Sequence, residues 1–384
     1  MFIRSLALPQ TSFFLFGPRS TGKTTWLKQQ LPKAKWFDLL DSSIYLGLLR
    51  NPSQLRMEIE ALPENSWVVI DEVQKLPLLL NEVHKLIADH GSKYLFALSG
   101  SSARKLKRLD VNLLAGRVIN RNFFPLTGSE MRFRFNVDSL FAFGNLPRVV
   151  SEPTLAVDIL EAYVTNYLKE EIQQEALVKD LGSFSRFLEV ATLCNAQVVN
   201  VANIARDAGV ARPTVQRYFD VLSATLIGSF LPAWRPRVKV KEVLHPKFYF
   251  FDSGVVRAIQ GTLRDSLEKA EKGSLFETMI FHELRAAQNQ LNCGGDFYYW
   301  RTTAGSEVDF IWARGKQTIG IEVKSSENYK SDFSKVLKQL VSGNVIQKAW
   351  VVYLGTKRLQ DGTITILPIT DFMKELAEGN ILPR

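Results

Sequence analysis

An α/β architecture built on a parallel sheet follows from three features of this chain. A glycine-rich loop stands between an apolar strand and a helix. A second apolar strand ends in paired acids about 50 residues later. A hairpin near residue 315 carries alternating acids and a lysine among β-branched and aromatic neighbours. Residues 1–130 are read as the parallel core and 131–180 as a helical lid or linker. Residues 181–245 are read as a helix-turn-helix segment and 246–384 as a second α/β domain.

The 384 residues suffice for two or three domains, and 46% hydrophobic with 23% charged content is ordinary for a chain with packed cores. No apolar run approaches the roughly 18 to 20 residues that span a membrane. The opening "MFIRSLALPQTSFFLFG" has an apolar patch but no small-residue cleavage site, so it reads as the start of the fold. Cys194 and Cys293 are far apart and form no ligand cluster, which points to a reducing, cytoplasmic setting. The net charge of +9 permits nucleic-acid binding without requiring it. Neither a fixed-period repeat nor a low-complexity tract stands out.

"SFFLFGPRSTGKTTWLKQQLP" reads as strand, loop and helix, the helix ending at Pro32. Gly17, Gly22, Lys23 and Thr24 fit the G-x-x-x-x-G-K-[ST] phosphate loop. Backbone N–H groups over Gly17, Pro18, Arg19, Ser20, Thr21, Gly22, Lys23, Thr24 and Thr25 would wrap the phosphates of ATP, aided by the helix N-terminus. Lys23 would reach the β- and γ-phosphates, and the Thr24 hydroxyl would ligate Mg²⁺.

"SWVVIDEVQKLP" is a buried strand whose carboxyl end carries Asp71 and Glu72. Asp71 suits the Mg²⁺ shell, and Glu72 suits the general base that polarises water. "YLFALSGSS" ends in Ser99, Ser101 and Ser102, which suit either a phosphate-sensing position or a loop of turn formers. Arg104, Lys105, Lys107 and Arg108 suit a solvated helix face or a phosphate track. Arg117, just before the next strand, is either a surface arginine or one that enters a neighbour's site.

"GPRSTGKTT", "VVIDEVQKLP", "LSGSSARKL", "LAGRV" and "FPLTGSEM" together resemble the AAA+ superfamily ATPases of bacteria and archaea that carry a C-terminal domain of unknown function. The resemblance runs over nearly the whole chain. It implies a five-stranded parallel core with helices on both faces, Asp71 and Glu72 as the Walker B pair, Ser99 as a sensor and Arg117 as an arginine finger. It also implies a homo-oligomer, a hexameric ring among the options. "FGNLPRVV", around Gly144 and Pro147, is similar to a lid motif that approaches adenine in related ATPases.

Beyond Thr154, apolar residues recur at helical spacing: Leu155, Ile159, Leu160, Tyr163, Val164, Tyr167 and Leu168. "VVNVANIARDAGVARPTVQRYFDVLSATLIGSFL" then fits helix, turn, helix, with Gly209 in the turn and Pro213 at the first position of the second helix. Arg212, Thr214, Gln216 and Arg217 would project outward, to meet DNA or to dock a protein. In the resembling family this region looks like a winged helix. In "WRPRVKVKEV", Arg235, Arg237, Lys239 and Lys241 alternate, as on a wing that contacts phosphates or on a protected edge strand.

"PKFYFFDSGVVRAI" opens the last domain as a strand ending at Asp252, and an amphipathic helix follows with Phe276, Ile280, Leu284 and Ala287 on one face. In "SEVDFIWARGKQTIGIEVKSS", a two- or four-residue turn centred between Gly315 and Lys316 pairs positions whose numbers sum to 631, whereas a three-residue loop would slip the register by one and separate the charged set. Asp309 then opposes Glu322 and Glu307 opposes Lys324, all on one face. Val308, Phe310, Trp312, Ile319, Ile321 and Val323 would form the core face. Two facing carboxylates and a nearby lysine suit one Mg²⁺ and an activated water, with Glu277 completing the set. The constellation resembles the PD-(D/E)xK, restriction-endonuclease-like nucleases, whose acid, hairpin and E-x-K appear here as Asp309, Glu322 and Lys324. Val308 stands where many members have proline, and Gln339 stands where some carry glutamine. The alternatives are a salt-linked solvated face, or an inactive nuclease-like fold in a nucleotide-switched protein that holds a partner or a DNA end.

Overall fold

The structure is a computed structural model that describes residues 2–101, 114, 116–168, 180–235 and 243–383. It divides into two compact units: Leu6–Pro125 with Ala224–Leu226, and Met1–Ser5, Leu126–Ser223 and Ile227–Arg384.

In the Leu6–Pro125 unit, the strands are β1 (Phe13–Phe16), β2 (Lys35–Asp38), β3 (Ser66–Asp71), β4 (Tyr94–Gly100) and β5 (Ile119–Asn122). They run parallel in the order β2-β3-β4-β1-β5. Their continuous apolar runs are explained by cover on both faces. Side chains alternate across the sheet, so one run feeds two cores. Phe14, Phe16, Val68, Ile70, Phe96 and Leu98 pack with Leu79, Val83 and Leu86 on one face. Phe13, Leu15, Val69 and Ala97 pack with Trp26 and Leu27 on the other. This is the five-stranded parallel core expected from the sequence. The helix Lys23–Gln30 follows β1 directly.

In the larger unit, β6 (Gln197–Val198), β7 (Gly228–Leu231) and β8 (Lys247–Phe250) form an antiparallel sheet in the order β6-β8-β7. The helices Leu181–Leu193, Val201–Ala208 and Arg212–Ala224 accompany it. Gly209 ends the middle helix with φ 66°, the left-handed turn that glycine takes without penalty. Ile204, Val215, Phe219 and Leu222 face the core, as the apolar spacing predicts.

A six-stranded mixed sheet follows. Its strands are β9 (Asp296–Arg301), β10 (Glu307–Arg314), β11 (Gln317–Lys324), β12 (Lys348–Tyr353), β13 (Leu359–Asp361) and β14 (Ile364–Pro368), in the order β13-β14-β12-β11-β10-β9. The helix Lys269–Leu291 covers one face through Phe276, Ile280 and Leu284. The helix Lys335–Ser342 covers the other through Leu337 and Leu340.

Three sequence expectations need correction. The strand expected to open a separate domain at 246 is β8, which pairs with β6 and β7 instead. One continuous core then runs from Leu126 to Leu382, so the middle and last segments form one unit. Leu155 precedes the helix Ala156–Ala162 in a short turn and is exposed rather than packed. The assumed alternation along β10 also fails at a bulge between Val308 and Ile311. Val308 therefore joins Ile311 in one core while Phe310 and Trp312 enter the other.

Candidate functional site

The first candidate site lies at the carboxyl ends of β1, β3 and β4. Gly22 caps the helix Lys23–Gln30 in a left-handed conformation, φ 91°, and no side chain caps that end. Its first-turn N–H groups are the donors a phosphate would take. A Cβ on Gly17 would meet the Phe123 carbonyl oxygen at 2.2 Å, so only glycine fits there. Thr21 Oγ1 donates to the Pro18 carbonyl at 2.8 Å and fixes the loop's curl. Lys23 is buried, and its Nζ donates to the carbonyls of Gly17 at 2.8 Å and Pro18 at 3.0 Å. Ser20 is in the left-handed region with φ 63°. Arg19 is half-buried, and Ser20 and Thr25 are exposed.

Asp71 closes β3 and is held from both sides. Thr24 Oγ1 donates to its Oδ2 at 2.7 Å, and Ser99 Oγ donates to its Oδ1. A hydroxyl beside a carboxylate at the end of a phosphate loop is a donor set that suits Mg²⁺. Glu72 follows with φ 58°, a strained value for a non-glycine residue. Its carboxylate accepts from Gln74 Nε2 at 2.5 Å, and the same amide reaches Ser101 Oγ at 3.0 Å. A Cβ on Gly100 would lie 2.4 Å from Gln74 Oε1, so Gly100 makes room for this amide. Sequence reasoning missed Gln74. The "DEVQ" spacing alone could have flagged it, because a turn after β3 brings it back beside Glu72. Arg117 is exposed, and its guanidinium meets His84 Nε2 at 2.6 Å.

The hairpin has the expected register, with Phe310 opposite Ile321 and Arg314 opposite Gln317 around the two-residue turn Gly315–Lys316. Past Phe310 the bulge changes the partners. Asp309 Oδ2 accepts from the Val323 backbone N–H at 2.8 Å. Lys324 Nζ pairs with Glu322 Oε1 at 2.5 Å, not with Glu307 as expected. Glu307 instead meets Lys247 Nζ at 2.7 Å and Arg301 at 3.6 Å.

Lys247, the first residue of β8, also stands among these acids, although no local signal in the sequence singles it out. Its side chain is only 4% exposed, and its Nζ also lies 3.2 Å from Glu277 and 3.8 Å from Asp309. Tyr249 Oη donates to the same Glu277 oxygen at 2.8 Å. Burial, then the Asp309 charge, push the Glu277 carboxyl up to about 7. Burial and Asp309 likewise hold Glu322 well above the usual range. Burial disfavours charge on Lys247, but Tyr249, Glu277, Asp309 and Glu307 outweigh it and keep the ammonium protonated.

This donor set does not fit a divalent metal as it stands. Lys247 takes oxygens of Glu277, Glu307 and Asp309, and Lys324 takes one of Glu322. Among the described residues, no group of three or more His, Cys, Asp or Glu side chains is arranged to hold a metal ion.

On the helix Arg212–Ala224, Arg212, Gln216 and Arg217 are exposed, and Thr214 accepts from Arg217 at 3.2 Å. Arg235 is exposed, whereas Arg237, Lys239 and Lys241 lie outside the described residues, as do Ser102 and the basic cluster Arg104 to Arg108. Gly144 packs against the Asp252 carboxylate within the larger unit. Both cysteines are free, and no helix among the described residues is long and apolar enough to cross a membrane.

Residues 10–132 match the model of an AAA domain. Residues 134–266 and 272–372 match two domains of unknown function, DUF8612 and DUF4143. Uncharacterized protein Rv2008c of Mycobacterium tuberculosis and uncharacterized protein Mb2031c of Mycobacterium bovis are each 25% identical over 363 residues, 92% of this chain and 79% of theirs. An uncharacterized protein of Haemophilus influenzae is 24% identical over 68% of this chain and 66% of its own. Among solved structures, a RuvB variant of Thermotoga maritima aligns at 17% identity and TM-score 0.33, covering 58% of this chain and 82% of that one. A likeness that low carries no argument. The loop and the parallel sheet both lie within the residues that match an AAA domain, and together they form a P-loop-type nucleotide-binding core in that part of the chain.

Proposed function

We propose that the chain binds and hydrolyses ATP, and that its nucleotide state governs a larger unit that engages DNA. One observation carries the first half: Thr24, Asp71, Ser99, Glu72 and Gln74 form one hydrogen-bonded array beside the Lys23 loop. Lys23 and the loop N–H groups bind the phosphates of ATP. Thr24 and Asp71 hold Mg²⁺, which supplies charge neutralisation on the phosphates. Glu72 takes the proton of the attacking water, and Gln74 orients Glu72. Arg117 reaches into a neighbouring copy, so the active form is a homo-oligomer in the cytoplasm, with a hexameric ring among the options. Purified protein should turn over ATP with Mg²⁺, and Lys23→Ala should lose nucleotide binding. Retained ATP binding by Lys23→Ala would end this reading.

DNA engagement is supported by the exposed Arg212, Gln216 and Arg217 on the second helix of the helix-turn-helix. The order helix, β6, helix, helix, β7, β8 supports the winged-helix reading of this segment. For the nuclease-like part there are two readings. In one, Asp309, Glu322 and Glu277 hold Mg²⁺, Lys324 orients a water, and DNA is cut. In the other, the same fold holds DNA without cutting. The Lys247 ammonium among the acids favours the second. Metal-dependent strand breakage that Asp309→Ala abolishes would restore the first.

A further inference from the structure

Three carboxylates from two elements converge on one side chain of a third. Glu277 comes from the helix Lys269–Leu291, Glu307 and Asp309 come from β10, and Lys247 comes from β8. The three approach Nζ at 3.2, 2.7 and 3.8 Å. The ammonium also lies 5.6 Å from the centre of the Tyr299 ring, so an aromatic face covers it from another side. Oxygens directed at one point, a charge of opposite sign at that point and almost complete burial are the features of a cation site. Here the protein supplies the cation.

We propose that the Lys247 ammonium is the resident cation of this acid cluster, standing where a divalent ion would have to sit and keeping such ions out. A Mg²⁺ ion bound by these carboxylates needs contacts of about 2.0–2.1 Å, and Mn²⁺ slightly longer ones, within the volume that Nζ now fills. An ion there would also stand beside a fixed positive charge. Tyr249 reinforces the arrangement by occupying the Glu277 oxygen that Lys247 meets. Lys247 also joins the small sheet to the large one, so the cluster holds two sheets together without metal. The inference deepens the non-cutting reading of the larger unit and is independent of the ATP site.

The test uses the full-length, nucleotide-free chain and Mn²⁺ as the probe, with free Mn²⁺ counted by electron paramagnetic resonance. Wild type should take up no Mn²⁺ that Glu307→Gln removes. Lys247→Ala should take up one equivalent more than wild type, and Lys247→Ala/Glu307→Gln should lose it again. Because Lys247→Ala leaves three acids unopposed, its folding is checked by circular dichroism. Lys247→Ala/Glu277→Gln leaves the same volume vacant with one acid fewer and should show the same gain. Wild-type Mn²⁺ uptake that depends on Glu277 or Glu307 would overturn the proposal. So would absence of a gain in either folded variant. ATP turnover, measured on the same proteins, reports on the P-loop reading separately.

Discussion

Thr24 Oγ1 donates a 2.7 Å hydrogen bond to Asp71 Oδ2, across 47 residues of sequence. Ser99 holds the other oxygen of the same carboxylate. Without this pair, the phosphate loop and the end of β3 would be two separate motifs; the bond makes them one prospective ion shell. Thr24→Ala and Asp71→Asn should each lower ATP turnover by about 100-fold or more, because each removes charge stabilisation at the phosphates. Steady-state turnover over a range of Mg²⁺ concentrations checks this. Wild-type rates at saturating Mg²⁺ in both variants would refute the shared shell.

Glu72→Gln should keep nucleotide affinity and lose turnover by roughly 10²- to 10⁴-fold, the contribution expected of a positioned general base. Gln74→Ala should do less, about 10-fold, since Glu72 keeps its carboxylate and loses only its orientation. Paired binding and turnover measurements separate the two. If Gln74→Ala lowers affinity but not turnover, Gln74 shapes the loop and does not position Glu72.

The array around Asp71 was largely legible in the sequence because local signals carry it. A phosphate loop has fixed spacing, and a buried parallel strand announces itself as an apolar run that ends in acids. The hairpin register was legible for the same reason, since Gly315 and Lys316 supply a two-residue turn. The bulge between Val308 and Ile311 was not legible, because Val308 and Phe310 look alike to an alternation rule while packing decides their faces. Nor was Lys247 legible. It precedes Glu307 by 60 positions and lies in a strand whose neighbours suggest only core, so no window of sequence brings it to the acids. The same long-range pairing of β8 is why the middle and last segments form one unit.

DNA binding should depend on the exposed basic residues of the second helix of the helix-turn-helix. Arg212→Ala/Arg217→Ala should weaken binding and reduce the slope of log affinity against log salt by about two, roughly one for each phosphate no longer neutralised. Fluorescence anisotropy with duplex DNA at several salt concentrations reads both quantities. An unchanged slope would assign this helix to protein docking.

Gly144 has φ +73°, and a Cβ there would lie 1.9 Å from Asp252 Oδ1. That carboxylate is buried, caps the helix Ser253–Gln260 through the Val255 N–H, and accepts from the Asn145 N–H at 2.7 Å. Gly144→Ala therefore adds backbone strain and displaces a buried acid from its donors. The expected cost is about 3 kcal/mol or more. Chemical denaturation checks it, and a loss within about 0.5 kcal/mol, the usual range for an unremarkable surface change, would refute the tight fit.

Glu283 is buried on the helix Lys269–Leu291, and its Oε1 accepts from the Gly128 N–H at 2.8 Å. Burial pushes its carboxyl up to about 8, against the lowering effect of that bond, and Glu130 adds to the rise. Between the ordinary glutamate value and 8, the folded chain keeps a proton that the unfolded chain has released. Its stabilising contribution is thus complete at acid pH and is lost as pH rises through 8. Glu283→Gln keeps an acceptor for Gly128 and carries no titrating group. The variant should therefore match wild type more nearly near pH 5 and exceed it near pH 9 by up to about 5 kcal/mol, the upper bound set before relaxation by a rise from 4.5 to about 8 at about 1.4 kcal/mol for each tenfold weakening of the acid. Asp252, raised by burial to about 6, contributes the same slope at lower pH to both proteins and cancels in the comparison. Urea denaturation of the two proteins at both pH values is the check. Parallel pH profiles would mean that Glu283 is ionised in the folded chain with a counter-charge strong enough to overcome its burial.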